Sequence, residues 1–376
     1  MVKKTNILFV FGTRPEAIKM APVVKRFLKE DLLSVKVCVT AQHREMLDQV
    51  LEFFEITPDY DLDLMKPNQS LYTITADVLL KLKDVLEEFN PSYVFVHGDT
   101  TTTMSASLAA FYYGAKVCHV EAGLRTYNKR APFPEEINRQ VTGRITNIHF
   151  APTEKSKENL LQEQVDAKDI LVTGNTVIDA LLESVDRVRA STPPGIADIK
   201  DQFDPSKKWI LVTGHRRENF GEGFLNICQA LKQIANEQPK VEIIYPVHLN
   251  PNVQKPVFEL LKDTANIHLI SPLDYPSFVW MMDKSYLIIT DSGGVQEEAP
   301  SLGKPVLVMR ETTERPEAVE VGTVKLVGTN KELIVKEALE LIDNKKAYLS
   351  MSKAHNPYGD GKASERIVNF IKDIEK

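Results

Sequence analysis

Long apolar runs, closely spaced cysteines and an excess of positive charge are all missing from this sequence. The three cysteines, Cys38, Cys118 and Cys228, lie far apart in apolar stretches, which predicts reduced core residues of a cytosolic protein rather than a metal or redox site. No window approaches the roughly 18 apolar residues that a membrane-spanning helix needs, and residues 7–11 are too short a run for a signal peptide. The net charge of −6 argues against nucleic acid as a partner but not against a nucleotide, because a few local cations suffice for one diphosphate.

Short β-branched runs alternate with stretches of helical period along most of the chain, which predicts parallel sheets covered by helices. Residues 190–205 interrupt this alternation with several prolines and a glycine and are read as a linker. We therefore predict an α/β fold of two doubly wound, Rossmann-like domains, 1–172 and 173–361, with a cleft between them and a last helix at about 362–376 that packs back on the first domain or stays with the second. The predicted strands are 7–11, 35–39, 93–97, 116–120, 209–213, 241–246, 267–270, 286–290 and 305–308, and the predicted helices are 16–29, 43–54, 71–89, 102–113, 224–237, 253–262, 275–282, 294–302, 331–343 and 363–376.

The segment FGTRPEAIK at 11–19 joins a predicted strand to a predicted helix. Gly12 permits a tight turn, Pro15 suits the first helical position, and Arg14 stands beside the helix N-terminus, where free N–H groups and the helix dipole favour anions. Lys19 lies one turn further along the helix. The segment predicts a phosphate or diphosphate site; the plainer alternative is an ordinary strand-turn-helix with a solvated arginine.

A second glycine-containing turn, TDSGGVQEE, follows the strand that ends at residue 290. Ser292, Gly293 and Gly294 offer backbone N–H groups at a helix start, which favours a diphosphate. Glu298, one turn into that helix, could accept the hydroxyls of a ribose. A simply capped helix entry is the alternative.

The segment HGDTTTT also follows a predicted strand. Asp99 is a candidate N-cap of the next helix, but Thr100 can cap it as well and would leave Asp99 available for chemistry. His97 and Asp99 have a spacing that could ligate a metal, but the sequence shows no convincing third ligand.

Three more polar side chains lie at strand ends or open a helix. Glu121 and His215 each come directly after a predicted strand, and a buried carboxylate there is costly unless it is paired or functional. Glu135 lies in the first turn of a helix, where it could serve the helix dipole or pair with Arg139. Several acids beside a diphosphate, Asp99 included, make sense if they move protons.

Taken together and in this order, the motifs resemble the non-hydrolysing UDP-N-acetylglucosamine 2-epimerase family from one end of the chain to the other. The matching segments are GTRPEAIK at 12–19, AQHREML at 41–47, HGDTTTT at 97–103, HVEAGLRT at 119–126, PEE at 134–136, GHRREN at 214–219, TDSGGVQEEAPSLGKP at 290–305, TTERPEA at 312–318 and NPYGDGKASERI at 356–367.

The resemblance implies the two-domain fold of GT-B nucleotide-sugar glycosyltransferases, a homodimer, and a role in cell-surface polysaccharide synthesis. It implies reversible conversion of UDP-GlcNAc to UDP-ManNAc by anti elimination of UDP to 2-acetamidoglucal and re-addition of UDP. No metal or other cofactor is expected. By motif match the catalytic residues are Asp99, Glu121, Glu135 and His215, and the substrate-binding residues are Arg14, Lys19, Phe278, Ser292, Gly293, Gly294, Glu298 and Arg315.

One departure from the family pattern concerns regulation. In regulated bacterial members a second UDP-GlcNAc binds beside the active site, and Gln42, Arg216 and His248 match that site. Glu45 stands where an amide is expected, and Asn68 where an arginine is expected. Both changes should weaken a second anionic ligand, so activation by substrate stays an open prediction.

Three other functions share part of the pattern. A hydrolysing relative would release free ManNAc and UDP. A GT-B glycosyltransferase would share the glycine turn and Glu298 but would not need Asp99, Glu121 and Glu135 together. A non-catalytic UDP-sugar sensor would keep Arg14 and the turn but could lose the acids, and this chain has all of them.

Overall fold

The computed structural model of the chain describes residues 4–41, 44–65 and 69–375, which form two compact units. Unit 1 combines Met1–Ala180 with Tyr358–Lys376, and unit 2 is Leu181–Pro357. The chain thus passes from unit 1 to unit 2 at 180/181 and returns at 357/358, whereas the sequence prediction set these changes at 172/173 and 361/362.

Unit 1 is built on a seven-stranded parallel sheet within the described residues, in the order β3-β2-β1-β4-β5-β6-β7. The order runs outward in both directions from β1 and β4, as in doubly wound folds, so a topological switch point lies between these two strands. The strands are β1 (Thr5–Phe11), β2 (Leu33–Val39), β3 (Tyr60–Asp61), β4 (Tyr93–His97), β5 (Lys116–Val120), β6 (Ile148–Ala151) and β7 (Ile170–Val172).

Helices cover this sheet, and their ends follow local signals in the sequence. The helix after β3 begins behind a Ser70–Thr73 capping box and ends at Asn90, whose left-handed φ of 52° stops it. The helices are α1 (Arg14–Phe27), α2 (Arg44–Phe54), α3 (Leu71–Phe89), α4 (Thr101–Tyr113), α5 (Glu135–Ile145) and α6 (Glu154–Gln162), with a 3-10 turn at Ala167–Asp169. The next helix, α7 (Thr176–Ala190), begins in unit 1 and continues into unit 2.

Unit 2 repeats the arrangement with a six-stranded parallel sheet, in the order β10-β9-β8-β11-β12-β13 for the residues described. Its switch point lies between β8 and β11. The strands are β8 (Lys208–Thr213), β9 (Val241–Pro246), β10 (Ile267–Ile270), β11 (Leu287–Thr290), β12 (Val306–Val308) and β13 (Val324–Leu326).

Unit 2 has an apolar core that includes Phe224 and Tyr245. Its helices are α8 (Pro194–Ala197), α9 (Glu222–Glu237), α10 (Pro251–Leu261), α11 (Tyr275–Lys284), α12 (Gly293–Glu298), α13 (Pro316–Glu320), α14 (Lys331–Asp343) and α15 (Lys345–Ser352), with 3-10 turns at Lys200–Gln202, Arg217–Asn219 and Ala299–Leu302. Of these, α9, α10 and α14 contribute buried side chains to that core.

The last helix, α16 (Ala363–Ile374), belongs to unit 1 and packs on α1. Phe370 meets Phe150 edge to face at 6.0 Å between ring centroids. Beyond the helix, the Glu375 carboxylate accepts hydrogen bonds from the hydroxyls of Tyr93 and Thr5, both at 2.6 Å. Glu375 is thereby attached to strands β1 and β4.

The predicted α/β fold of two doubly wound domains is confirmed, with some differences in detail. The helix predicted at 294–302 divides into α12 and a 3-10 turn, where Pro300 interrupts the regular helical hydrogen bonds. The stretch read as a linker contains α8 and a 3-10 turn. No helix among the described residues combines the length and the apolar character that crossing a membrane requires.

Candidate active site

The loops after β1 and β4 meet at the switch point of unit 1, where ligands of doubly wound sheets bind. Gly12 follows β1, and a Cβ at this position would overlap the Thr40 hydroxyl. The absence of a side chain at Gly12 therefore lets the chain pass close to Thr40, which directly follows the neighbouring strand β2.

Glu16 occupies the helix start that the sequence assigned to a phosphate. Its side chain is buried, and Oε2 accepts the backbone N–H groups of Gly12 at 3.0 Å and Thr13 at 2.8 Å. Its Oε1 accepts the hydroxyls of Thr100 at 2.6 Å and Thr103 at 3.1 Å. A carboxylate of the chain itself therefore takes the backbone N–H groups of Gly12 and Thr13, and the predicted phosphate or diphosphate site with Arg14 and Lys19 stays a prediction.

Burial raises the pKa of the Glu16 carboxyl, against the opposing effect of its hydrogen-bond donors. The same group joins the N-termini of α1 and α4 and so fixes the loop that carries Asp99. Sequence reasoning missed this residue, although the Thr13-x-x-Glu16 spacing is that of a capping box.

Glu16→Ala is expected to lower the free energy of unfolding by at least about 2 kcal/mol, because it leaves several buried donors without an acceptor. Glu16→Gln keeps a carbonyl acceptor and should retain most of the stability. Urea unfolding followed by circular dichroism measures the difference. Equal losses for the two variants would show that the acceptor is not what the site needs.

Two of the predicted acids are brought together by Arg139, whose guanidinium is buried. Nε donates to Asp99 Oδ2 at 2.9 Å, and an NH2 group donates to Glu121 Oε2 at 2.8 Å. The helix cap beside Asp99 is Thr100, which accepts the backbone N–H of Thr103, so Asp99 is not the cap. Arg139 thus joins the two carboxylates instead of forming the pair with Glu135 that its spacing suggested.

Glu121 is the most enclosed of these acids. It lies directly after β5 with a left-handed φ of 62°, a conformation uncommon outside glycine. Its carboxylate also pairs with Lys19. Burial alone would raise the pKa of Glu121, but the positive charges of Lys19 and Arg139 outweigh burial and hold the pKa well below its usual range. The group is therefore ionised at neutral pH although it is buried.

A neutral histidine completes the surroundings of Glu121. His97 Nε2 lies 4.0 Å from Glu121 Oε1, and burial lowers the pKa of His97 to about 4. Because it is uncharged at neutral pH, His97 adds no third cation to the pairs that Lys19 and Arg139 make with this carboxylate.

Arg14 and Glu135 begin the helices α1 and α5 of unit 1, and both side chains are partly buried. Glu136, the next residue, faces the loop that precedes α5. It accepts the backbone N–H groups of Thr126 at 2.8 Å and Tyr127 at 3.1 Å. Glu136 therefore has a structural part, because its carboxylate holds the loop before α5 in place.

In unit 2, Asp291 organises the switch point. It is fully buried after β11, and its Oδ2 accepts the backbone N–H groups of His215 and Arg216, both at 2.8 Å. Arg216 Nε donates to the Asp291 carbonyl at 3.0 Å. Sequence reasoning named the residues around Asp291 but missed its part, which is to fix the loop after β8.

The loop held by Asp291 borders a pocket of about 530 Å³ in unit 2. The rings of His215 and His248 stack there with centroids 5.4 Å apart. Burial lowers the pKa of His248, and the neighbouring His215 acts in the same direction. The pocket brings together five of the predicted residues, namely His215, Arg216, His248, Ser292 and Gly293. It adds three others, Arg217, Glu218 and Asn250.

Arg315 lies over the glycine turn of unit 2. A Cβ on Gly293 would come within 3.1 Å of its guanidinium, so the absence of a side chain there makes room for the arginine. Its Nε donates to Glu297 Oε1 at 2.8 Å. Glu298 is buried at the end of α12, next to the turn in sequence, and Phe278 is partly buried on α11.

The residues matched to a second ligand are only partly described. Gln42 and Asn68 lie outside the described residues. Glu45 is exposed in the first turn of α2, and Arg44 before it pairs with Asp61 and Asp63 at 2.5 and 2.8 Å.

The fold and the site define an α/β enzyme whose first unit holds two carboxylates on the buried Arg139 and whose second presents an arginine- and histidine-lined pocket at a glycine turn. The model of the UDP-N-acetylglucosamine 2-epimerase family matches residues 25–372. The chain belongs to this family, as the motifs indicated.

Individual relatives agree over nearly full length. A UDP-N-acetylglucosamine 2-epimerase of Campylobacter jejuni is 58% identical over 376 residues, covering 99% of this chain and 98% of that protein. The crystal structure of UDP-GlcNAc 2-epimerase from Neisseria meningitidis bound to UDP-GlcNAc has a TM-score of 0.90 and 53% identity, covering 98% of this chain and 100% of that one. The Methanocaldococcus jannaschii enzyme in complex with UDP-GlcNAc and UDP has a TM-score of 0.80 and 35% identity, with coverage of 98% and 100%.

Proposed function

We propose that this enzyme interconverts UDP-GlcNAc and UDP-ManNAc by anti elimination of UDP and re-addition through 2-acetamidoglucal. The observation that carries the proposal is the pair of carboxylates, Asp99 and Glu121, that share the buried Arg139 in a chain of this family. Inverting C2 by this route needs proton transfer on both faces of the carbon, and one carboxylate fixed on one side cannot serve both.

In the elimination a carboxylate takes the proton from C2, the C1–O bond breaks with its electron pair leaving on UDP, and a C1=C2 double bond forms. Re-addition reverses these steps with the proton delivered to the opposite face. The C2 proton is weakly acidic, so the base must be ionised and well placed, which contributes roughly 10²–10⁴ in rate. The cations around Glu121 keep it ionised despite its burial. We propose Asp99, Glu121, Glu135 and His215 as the catalytic set.

The departing UDP carries negative charge that must be stabilised. We propose that the turn Ser292–Gly294, with Arg315 beside Gly293, binds UDP in unit 2, and that Glu298 and Phe278 contact its nucleoside. We propose Arg14 and Lys19, in unit 1, as further substrate-binding residues. Oriented donors and cations of this kind stabilise a leaving anion without rearranging during the reaction.

Incubation with UDP-GlcNAc in deuterated water, without an acceptor, tests the proposal. We expect UDP-ManNAc with deuterium at C2, detected by mass spectrometry and proton NMR. Unlabelled UDP-ManNAc would contradict the elimination route. Free ManNAc together with UDP would indicate a hydrolysing epimerase. Unchanged substrate would favour a glycosyltransferase or a non-catalytic UDP-sugar sensor.

Family resemblance also supports a homodimer, which we propose as the state in solution. Light scattering coupled to size-exclusion chromatography distinguishes it from a single chain.

A further inference from the structure

Two segments of unit 1 adjoin the places where the chain crosses to unit 2 and returns. Residues 173–179 precede the first crossing and residues 358–366 follow the second. We call these two segments the crossover joint.

The joint is closely built from hydrogen bonds and a contact between glycines. The backbone N–H of Asn175 donates to the Tyr358 carbonyl at 2.7 Å. Beside it Gly174 and Gly359, with φ of 88° and 139°, approach so closely that a Cβ on Gly174 would lie 3.3 Å from the Gly359 Cα. Asp179 then caps α16 by accepting the backbone N–H of Ser364 at 2.8 Å. The two segments are thereby held to each other along their length.

The side chain of Asn175 extends from this joint to the proposed catalytic centre. It is buried, and its Nδ2 donates to Glu121 Oε1 at 3.2 Å. Its Oδ1 accepts the backbone N–H of Val177 at 3.0 Å, which fixes the amide with its donor toward the carboxylate. One residue therefore bonds Tyr358 through its backbone and Glu121 through its side chain.

We infer that Asn175 is a positioning residue for the Glu121 carboxylate and makes the orientation of that carboxylate depend on the crossover joint. The inference rests on the proposed function, in which Glu121 transfers a proton at C2. Lys19 and Arg139 supply the positive charge that keeps Glu121 ionised. The neutral amide of Asn175 instead orients the carboxylate by donating a hydrogen bond to its Oε1. A catalytic carboxylate that loses its orientation lowers the rate of the chemical step more than it lowers substrate binding.

The first test separates positioning from folding. Asn175→Ala is expected to lower kcat about 10-fold while KM stays within about twofold. In a Glu121→Gln background the same change should cost no more than about twofold, because residues that act through one group are not additive. A full additional 10-fold loss in that background would overturn the inference.

The isosteric variant Asn175→Asp covers the case in which alanine does not fold. It places a second carboxylate beside Glu121, where Lys19, Arg139 and the neutral His97 are the other titratable or charged neighbours. A like charge raises the pKa of Glu121, so the acidic limb of the kcat/KM profile should move to higher pH. An unmoved limb would count against the inference.

The link to the joint has a matched glycine control. Gly359→Ala strains a left-handed position whose Cβ would lie 3.5 Å from the Asn175 backbone nitrogen, whereas Gly114→Ala strains one, with φ of 93°, that has open space around it. We expect kcat to fall several-fold in the first variant only. Equal kcat values in the two variants would show that the crossover joint does not influence the orientation of Glu121. If the wild-type protein lacked epimerase activity, the proposed function and this inference would both be overturned. If the wild type were active and the kcat of Asn175→Ala equalled that of the wild type, only the inference would be overturned.

Discussion

Asp99→Asn, Glu121→Gln, Glu135→Gln and His215→Asn are each expected to lower kcat for epimerisation of UDP-GlcNAc by at least about 10². The three amides keep the shape of the carboxylates but cannot accept a proton at neutral pH. Asparagine at 215 retains a polar side chain without the acid–base capacity of imidazole.

Coupled detection of UDP-ManNAc under saturating substrate measures kcat for each variant. Glu158→Gln is the matched control, because this exposed acid on α6 pairs only weakly with Lys155, at 3.2 Å, far from the switch point in the sheet order. It should keep wild-type turnover. Near-normal turnover in any of the four variants would remove that residue from the catalytic set.

Exchange of deuterium assigns the carboxylates to the faces of C2. A variant that has lost the base on one face cannot epimerise, but it can still remove and return a proton on the other face. It should therefore exchange solvent deuterium into one epimer of the substrate and not into the other. Comparing UDP-GlcNAc and UDP-ManNAc as starting material for Asp99→Asn and Glu121→Gln tells which acid serves which epimer.

Regular elements were predictable because their signals are local. The strand at 93–97 and the helix at 71–89 were predicted with the bounds that the structure has, since an apolar run and a capped periodic stretch mark them. The strands β3, β6, β7 and β13 were not predicted; each has four residues or fewer, too few to show a period by itself. The fold class followed from alternation, which does not depend on these short strands.

The predicted site residues followed from strand ends, but their partners did not. Arg139 contacts Asp99 and Glu121, which lie 40 and 18 positions away in sequence, so spacing alone pointed to Glu135 instead. Asn175 contacts Glu121 across 54 positions. Glu16 is the exception, because its capping-box spacing was available in the sequence. Contacts made across strands of a sheet need the strand order, which the sequence did not provide.

Arg139→Met is expected to lower the free energy of unfolding by about 3–5 kcal/mol, because Asp99 loses its cation and the buried Glu121 loses one of its two. Arg139 is 5% exposed in the wild type, and its guanidinium donates to two carboxylates. Methionine fills similar space, so the loss of charge rather than the loss of volume dominates the change.

The pH dependence of this loss follows from Glu121. In the wild type, Lys19 and Arg139 hold the folded-state pKa of Glu121 well below its ordinary value of 4.5. Losing Arg139 should raise that pKa, so the variant keeps less of the stability that the ionised carboxylate contributes above pH 4.5. The wild type itself loses this contribution as pH falls below 4.5, so the deficit of the variant relative to wild type at the same pH should be full at neutral pH and shrink at acid pH.

Urea unfolding followed by two signals locates the effect. Both tryptophans, Trp209 and Trp280, lie in unit 2, so their fluorescence follows unit 2 while circular dichroism follows both units. The dichroism transition should shift to lower urea more than the fluorescence transition does. Adding Glu121→Gln to Arg139→Met removes the carboxylate that has lost Arg139, so the double variant should lose less stability than the sum of the two single losses. If the double variant instead lost the sum of the two single losses, the pairing of Arg139 with Glu121 would not be what holds this site together.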